Sequence, residues 1–525
     1  MAKRVAIIGG GSSGLCAIKA CLQEALEPVC FERSGDIGGL WRFEECPEEG
    51  RASIYRSVII NTSKEMMCFS DFPIPEDFPN YMHNSKIMEY FRMYAQHFDL
   101  LRHIRFRTSV CRVSKRPDFA ATGQWEVVTE SEGKQEAAVF DAVLVCTGHH
   151  TEAHLPLNTF PGINKFKGRY LHSRDYKDTQ DFTDKRVVVI GIGNSGADLA
   201  VEVSNAYFLA QVFLSTHCGA WIINCVGDQG YPIDTIAFTR INVFLRKLMS
   251  HSMVSNFVEK QLNARFNHSH YGLKPKVFDQ HPTVNDDLPN RMILGRVLVK
   301  PNIQEFTETS AIFEDGTRED IDVVIVVIFA TGHSFSFPFL EGCVKVVENQ
   351  IPLVHVPPDL EKPTLAFIGL IQPLGAIMPI SELQCRWATR IFRGKRDKPL
   401  PPQCYMEADI KYVKSQRHTI QVDYIPYMDE LACQVGVKPN LLTLFLSDPK
   451  LALEVAFGPC TPYQYRLRGP GKWAGARDAI LTQRQRIIKP LQTRHVEEHL
   501  SAPSMPLLFK LVGAVAVLAI GFAYL

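Results

Sequence analysis

The stretch VAIIGGGSSGLCAIKA, Val5 to Ala20, reads as an apolar strand, a glycine turn and the start of a helix. Gly9, Gly11 and Gly14 stand in the spacing G-x-G-x-x-G. In a βαβ unit the first glycine permits the tight turn, and the second lets the backbone approach a pyrophosphate. The third lets helix and strand pack closely. The helix N-terminus then offers unpaired N–H groups and partial positive charge to the phosphates. The next strand, PVCFER, carries Glu32, where a carboxylate can accept hydrogen bonds from ribose hydroxyls. Strand, turn, helix and acid together predict a dinucleotide site.

The pattern occurs twice. VVVIGIGNSGADLA, Val187 to Ala200, carries Gly191, Gly193 and Gly196 in the same spacing, and QVFLST, Gln211 to Thr216, follows as its second strand. That strand runs into STHCGAW with no Asp or Glu. A carboxylate there would repel a 2′-phosphate, so its absence favours NADP over NAD. The arginine that would hold such a phosphate is missing too, which leaves Thr216 and His217 as the nearest donors. Two cradles imply two dinucleotides facing each other, and the economical pairing is a flavin with a nicotinamide, hydride passing between them. Reduced flavin can pass electrons to a disulfide, to a small acceptor or to O₂. Cys16 and Cys21 fall on the first helix and read as small buried apolar residues, not as a redox pair.

The rest of the chain frames these units. With 525 residues, 46% of them hydrophobic, it can bury a large core in two or three domains. Lys and Arg number 57 against 56 Asp and Glu, a balance that argues against nucleic acid as a partner. The 14 cysteines are scattered without C-x-x-C pairs, so reduced thiols and no metal site are expected. Two continuously apolar runs, DAVLVCTGHH (Asp141 to His150) and IDVVIVVIFATGHSF (Ile321 to Phe335), suit a parallel sheet covered on both faces, in an α/β fold. INVFLRKLM places Ile241, Phe244, Leu245, Leu248 and Met249 on one helical stripe, with Arg240, Arg246 and Lys247 among them. A core-facing helix and a helix lying on a membrane both fit that stripe, and it could also serve a contact between subunits. The last stretch, LLFKLVGAVAVLAIGFAYL from Leu507 to Leu525, is apolar apart from Lys510. As a helix it would reach roughly 28 Å, close to the ~30 Å core of a bilayer, and is expected to anchor the chain.

Between the cradles stands FKGRYLHSRDY, with Phe166, Gly168, His172 and Tyr176 in the order F-x-G-x-x-x-H-x-x-x-Y. This resembles the fingerprint of the flavin-containing monooxygenases, class B flavoproteins. FERSGDIGGLWRF, EEGRASIYRSV, NDDLPNR, GLIQPLGAIMPISELQ and FGPCTPYQYRLRGPGKW extend the likeness over essentially the whole chain. INTSKEMMCFSDFPIP and SQRHTIQ look most like the family's fifth mammalian isoform group. The resemblance implies two Rossmann-like dinucleotide-binding domains, the NADP domain inserted in the FAD domain, plus a C-terminal transmembrane helix. The divisions it implies are 1–150 and 331–445 for FAD and 151–330 for NADP, with a membrane or substrate-channel insertion at about 219–275. A C-terminal region, 446–505, and an anchor, 506–525, complete them.

The implied chemistry is reduction of FAD by NADPH, addition of O₂ to give a C4a-hydroperoxyflavin, and oxygen transfer to nitrogen or sulfur of small lipophilic compounds. In the fifth group the transfer is Baeyer–Villiger insertion into ketones. Release of H₂O₂ by an NADPH oxidase remains a further alternative. The implied setting is the endoplasmic reticulum membrane, with the catalytic domains facing the cytosol. By position Gly9, Gly11, Gly14, Glu32, Gly39, Leu40 and Trp41 match FAD contacts, and Gly191, Gly193, Asn194, Ser195 and Gly196 match nicotinamide contacts. Thr216 is the candidate near the 2′-phosphate. Asn61, followed by Thr62, matches the asparagine beside the flavin's reacting edge, and Gln372 borders the ring. Asn61-Thr62-Ser63 is also a glycosylation sequon, and His172 also fits a satisfied histidine at a domain junction. Three features depart from the family pattern. His217-Cys218 stand where relatives often carry arginine, and His333 where tyrosine is usual. Tyr176-Lys177 end the fingerprint where type I Baeyer–Villiger enzymes have Trp-Pro.

Overall fold

Each glycine-turn segment becomes the centre of a five-stranded parallel sheet. The computed structural model describes residues 2–48, 50–183, 185–205, 211–273, 281–320, 325–334, 336–340, 360–394 and 421–494. In the first sheet the order is Leu365–Phe367, Ala142–Val145, Arg4–Ile8, Glu27–Phe31 and Ile104–Arg105. In the second it is Val297–Lys300, Gln211–Ser215, Arg186–Ile190, Ile325–Phe329 and Arg169–His172. All neighbours within each sheet run parallel. Every strand of the second sheet lies in sequence between two adjacent strands of the first, Ala142–Val145 and Leu365–Phe367.

The continuous apolarity of the central strands follows from burial on both faces. Val5 and Ile7 point into a core shared with helix Ser12–Gln23, through Leu15 and Ile18, and with helix Ile377–Arg393. Ala6 and Ile8 point the other way, into a core with Val113, Trp125, Val127 and Phe140. Those four residues come from an antiparallel meander of Ser109–Lys115, Trp125–Ser131 and Lys134–Phe140. The second sheet repeats the plan. Val187 and Val189 meet Ala197 and Leu199 of helix Asn194–Asn205. Val188 and Ile190 meet Phe306, Ala311 and Phe313 of a meander formed by Ile303–Phe306, Ser310–Phe313 and Arg318–Asp320. A strand's period of two thus divides its side chains between a helical and a meander layer.

The helix formed by INVFLRKLM spans Arg240–Leu248, with Met249 just past its end. The core-facing expectation for its apolar stripe does not hold. Leu245 is 48% exposed and Leu248 69%, and Val243, off the stripe, is the residue that packs on the core. Arg240, at the start of the helix, is drawn inward to both carboxylate oxygens of Asp429 (2.8 and 2.7 Å) and to Gln464 Oε1 (2.8 Å). With the start of the helix tied inward, Leu245 and Leu248 face outward while Ile241, Phe244 and Met249 stay half-buried. Among the described residues no helix is long and apolar enough to cross a membrane. The expected anchor, 506–525, lies outside them.

Candidate active site

Both cradles open at the carboxyl ends of their central strands, where open α/β sheets bind ligands. Gly9 has φ +105° and Gly191 φ +108°, a region that L side chains rarely adopt. A Cβ on Gly9 would stand 2.8 Å from the Cys146 carbonyl oxygen, and one on Gly191 2.5 Å from that of Ala330. The third glycines are tighter: a Cβ on Gly14 or Gly196 would lie 2.0 Å from the carbonyl oxygen of Gly9 or Gly191. The middle glycines face space instead. Nothing lies within 4 Å of a Cβ built on Gly193, and on Gly11 it meets only the Gly39 backbone, from 3.5 Å. A cradle closed at its first and third glycines and open at its second is the shape a pyrophosphate requires, so both sites fit the dinucleotides that the sequence implied.

Glu32 is buried at the first cradle. Its Oε2 accepts the Gly10 N–H (2.6 Å), and its Oε1 accepts the N–H (2.9 Å) and hydroxyl (2.6 Å) of Ser34. The carboxylate is thereby aimed at the mouth of the glycine turn, and Ser34 is a positioning partner that the motif alone did not single out. Gly39, Leu40 and Trp41 form a single 3₁₀ turn, placed against the cradle by the Gly38 N–H on the Gly10 carbonyl (3.2 Å). Gln372 starts a short strand, Gln372–Leu374, shortly after the first sheet's edge strand ends at Phe367.

In the second cradle Ser195 is exposed, while the Asn194 side-chain Oδ1 accepts the Val284 N–H (2.8 Å). Asn194 therefore secures the 283–287 segment to the cradle. Thr216 hydrogen-bonds through its N–H to the Lys300 carbonyl (3.0 Å), and its hydroxyl accepts the Gly219 N–H (3.2 Å). Exposed His217 meets Asn302 Nδ2 through Nδ1 (3.0 Å). Lys300, the cation nearest in sequence register to this strand end, is turned to Glu319 Oε1 (2.6 Å).

Asn61 is exposed on a loop between Ile60 and Ser63. The preceding residues are pinned to the second unit's helix, Tyr55 by its hydroxyl to Asp198 Oδ2 (2.5 Å) and Ser57 by its hydroxyl to Glu202 Oε2 (2.6 Å). Burial pushes the Asp198 carboxyl up to about 6, against the pull of its hydrogen bonds from Tyr55 and Asn285. Burial likewise raises the Tyr55 phenol, and Asp198 adds to the shift. His172 Nε2 lies 2.9 Å from the Gly332 carbonyl, and its Nδ1 accepts the Arg174 N–H (3.1 Å). Both ring nitrogens are engaged with backbone, so His172 is a satisfied junction histidine in the structure. Among the described residues no group of three or more His, Cys, Asp or Glu is placed to hold a metal ion.

The family described as flavin-binding monooxygenase-like matches residues 2–525. The chain belongs to that family. With membership come the enzyme class, a monooxygenase, and two cofactors, FAD and NADPH. Among flavin-binding monooxygenase-like relatives, flavin-containing monooxygenase 5 of Mus musculus is 64% identical over 99% of both chains. The Homo sapiens protein of the same name is 63% identical over the same shares. Dimethylaniline monooxygenase [N-oxide-forming] 2 of Mus musculus is 54% identical over 98% of both. Among solved structures, the S-allyl-L-cysteine S-oxygenase of Allium sativum superposes with a TM-score of 0.62 at 22% identity, over 93% of this chain and 99% of that one. An open form of cyclohexanone monooxygenase gives 0.60 at 15% identity, over 83% and 98%. These two share the fold.

Proposed function

We propose that the chain holds FAD at Gly9, Gly11, Gly14, Glu32 and the Gly39–Trp41 turn, and NADPH at Gly191, Gly193, Gly196 and Thr216. With O₂ it oxygenates nucleophilic nitrogen or sulfur of small lipophilic compounds. One observation carries the placement: the two cradles share a sheet plan and glycine geometry, but only the first has a carboxylate at the end of its second strand. Bound FAD would supply an electron store and the place of oxygen activation, and bound NADPH the hydride.

The chain's own residues bind, orient and exclude water. The glycine turns receive the pyrophosphates, Glu32 receives ribose hydroxyls, and the exposed Asn61 amide can both donate to and accept from groups at the flavin's reacting edge. Excluding water from that edge is what keeps activated oxygen for the substrate. Identity of 64% to a flavin-containing monooxygenase 5, against 54% to the N-oxide-forming relative, favours ketone insertion as a second reading. The reading places the chain on the endoplasmic reticulum membrane with its catalytic units toward the cytosol, and the exposed Leu245, Leu248, Met253 and Phe257 support contact with a lipid surface. Exposed Arg246, Lys247 and Lys260 stand among them.

One assay tests the reaction by following NADPH consumed, H₂O₂ released and product formed from an amine, a sulfide and a ketone. Oxygenated product matching NADPH supports the reading. Peroxide equal to NADPH, with no product from any of the three, identifies an oxidase instead.

A further inference from the structure

Asn61 and Thr62 make no hydrogen bond of their own, so their place depends on the pins at either side. On one side the Ile60 N–H reaches the Met82 carbonyl (2.9 Å). On the other the Ser63 N–H reaches Asp234 Oδ2 (2.7 Å), and the Lys64 N–H follows to the Asn80 carbonyl (2.8 Å). Asp234 is the one side chain among these acceptors. It lies on helix Ile233–Ala237, in the segment between the second cradle and the outward-facing Arg240–Leu248 helix. It is 5% exposed, and besides the Ser63 N–H its carboxylate has the Ser63 hydroxyl and the Thr235 N–H beside it. A buried carboxylate with no cation beside it is costly, and a backbone acceptor could have held the same N–H more cheaply. The groups facing it are Ser63, Tyr81, Cys225 and Tyr424, none of them a cation.

We infer that Asp234 is a positioning residue for oxygenation: through Ser63 N–H it fixes the loop that presents Asn61 and ties the substrate-side segment to the flavin edge. This rests on the reading of Asn61 given under the proposed function. The charge-assisted bond is short and directional, and it acts two residues from Asn61. A shift of the insertion would therefore be passed to the residue governing how well oxygen is retained.

The test uses the full-length protein, with and without FAD. In the FAD-free protein, hydrogen exchange of a peptide covering 58–66 is expected to accelerate about tenfold in Asp234→Ala, with exchange in the two sheets unchanged. In the FAD-loaded protein, Asp234→Ala is expected to raise H₂O₂ released per NADPH about threefold or more at unchanged flavin content. Asp234→Asn, whose amide oxygen accepts the same N–H, should restore both readouts. Ser63→Pro provides a second variant, because Ser63 has φ −69° and proline there deletes the donor without bending the chain. It should raise the peroxide ratio as Asp234→Ala does. Wild-type exchange in Asp234→Ala, or a wild-type peroxide ratio in Ser63→Pro while Asn61→Ala is uncoupled, overturns the inference alone. An Asn61→Ala protein that remains fully coupled overturns the reading of Asn61, and the inference with it.

Discussion

His172 and His333 meet edge to face with ring centroids 5.1 Å apart, and His150 stands 5.2 Å from His333 on a third approach. His149 and His150 follow the Cys146-Thr147-Gly148 turn after the first sheet's strand Ala142–Val145, and His333 follows the matching Ala330-Thr331-Gly332 turn of the second. The histidines therefore gather where the chain crosses between its two halves. Burial lowers all of them, His333 to about 3 and His150 to about 4, and each neighbour's potential charge adds to the effect on His333. Arg174 also disfavours the cations, whereas Asp175 favours protonated His172.

The sign of the pH effect follows from these depressed values. The unfolded chain, with imidazoles near ~6.5, binds more protons than the folded one between about 6.5 and the folded values. Stability is thus fully present above about pH 6.5 and is lost as pH falls toward 4. Calorimetry is expected to show a Tm several degrees lower at pH 5 than at pH 7, on the order of a few degrees per kcal/mol. His333→Tyr should flatten that acid slope by removing one titrating group. An unchanged slope in the variant would show that the junction histidines do not carry it.

The third glycines provide a test that separates the two cradles. Gly14→Ala must displace the Gly9 carbonyl from 2.0 Å, and Gly196→Ala must displace that of Gly191 by the same amount. Since the obstruction is backbone, it cannot be relieved by a rotamer. Gly14→Ala is expected to purify with less than about a tenth of the wild-type 450 nm flavin absorbance. Gly196→Ala should keep its flavin and reduce it with NADPH at least a hundredfold more slowly, a loss of roughly 3 kcal/mol. Dithionite reduction of Gly196→Ala should remain normal. A colourless Gly196→Ala and a yellow Gly14→Ala would reverse the assignment of the cofactors.

What was legible in the sequence was local. Glycine spacing, helix starts and apolar runs are each set within about twenty residues, and the structure forms two Rossmann-like parallel sheets from them. Contacts between distant segments were not legible. Tyr55 meets Asp198 and Ser63 meets Asp234, yet neither pair shares a motif. The Arg240–Leu248 stripe shows why a pattern alone misleads. Its period specified a helix, but not that Arg240 would reach inward to Asp429 while Leu245 and Leu248 faced out.

A buried ion network behind the FAD cradle should dominate acid and mutational stability. Arg466, 1% exposed, donates through Nη2 to Glu382 Oε1 (2.6 Å) and lies 3.1 Å from Asp71, while Lys19 pairs with Asp71. Glu382 also accepts the Ser70 N–H through Oε2 (2.8 Å). Although burial opposes its ionisation, Arg466, Lys19 and Arg386 together hold the Glu382 carboxyl down to about 2. Its contribution is present above about pH 4.3, the unfolded value, and is lost as pH falls toward 2. Glu382→Leu leaves the buried Arg466 guanidinium with Asp71 as its remaining carboxylate, an acid that Lys19 shares, and is expected to cost about 3 kcal/mol in chemical denaturation. The double variant Glu382→Leu/Arg466→Met should recover much of that loss. A Glu382→Leu protein as stable as wild type would show that the network is not holding the FAD half together.

The proposed membrane attachment divides into two parts that can be tested apart, the exposed apolar residues between 245 and 257 and the stretch 507–525. Leu245, Leu248, Met253 and Phe257 are 48%, 69%, 56% and 55% exposed, so each still has apolar surface to bury. Arg246, Lys247 and Lys260 add attraction to anionic headgroups. A fully buried side chain of these types contributes about 1.5–3 kcal/mol, so two half-exposed leucines should together contribute roughly 2 kcal/mol. A chain shortened to residue 494 should therefore still float with vesicles containing phosphatidylserine, more weakly as salt is raised. Leu245→Glu/Leu248→Glu in that shortened chain should lower its partitioning at least ~30-fold, the fold-change corresponding to that energy. In the full-length chain the same pair should leave the protein in the membrane fraction. If the shortened double variant floats as well as the shortened parent, the stripe does not touch lipid, and its exposure must serve a contact between protein surfaces.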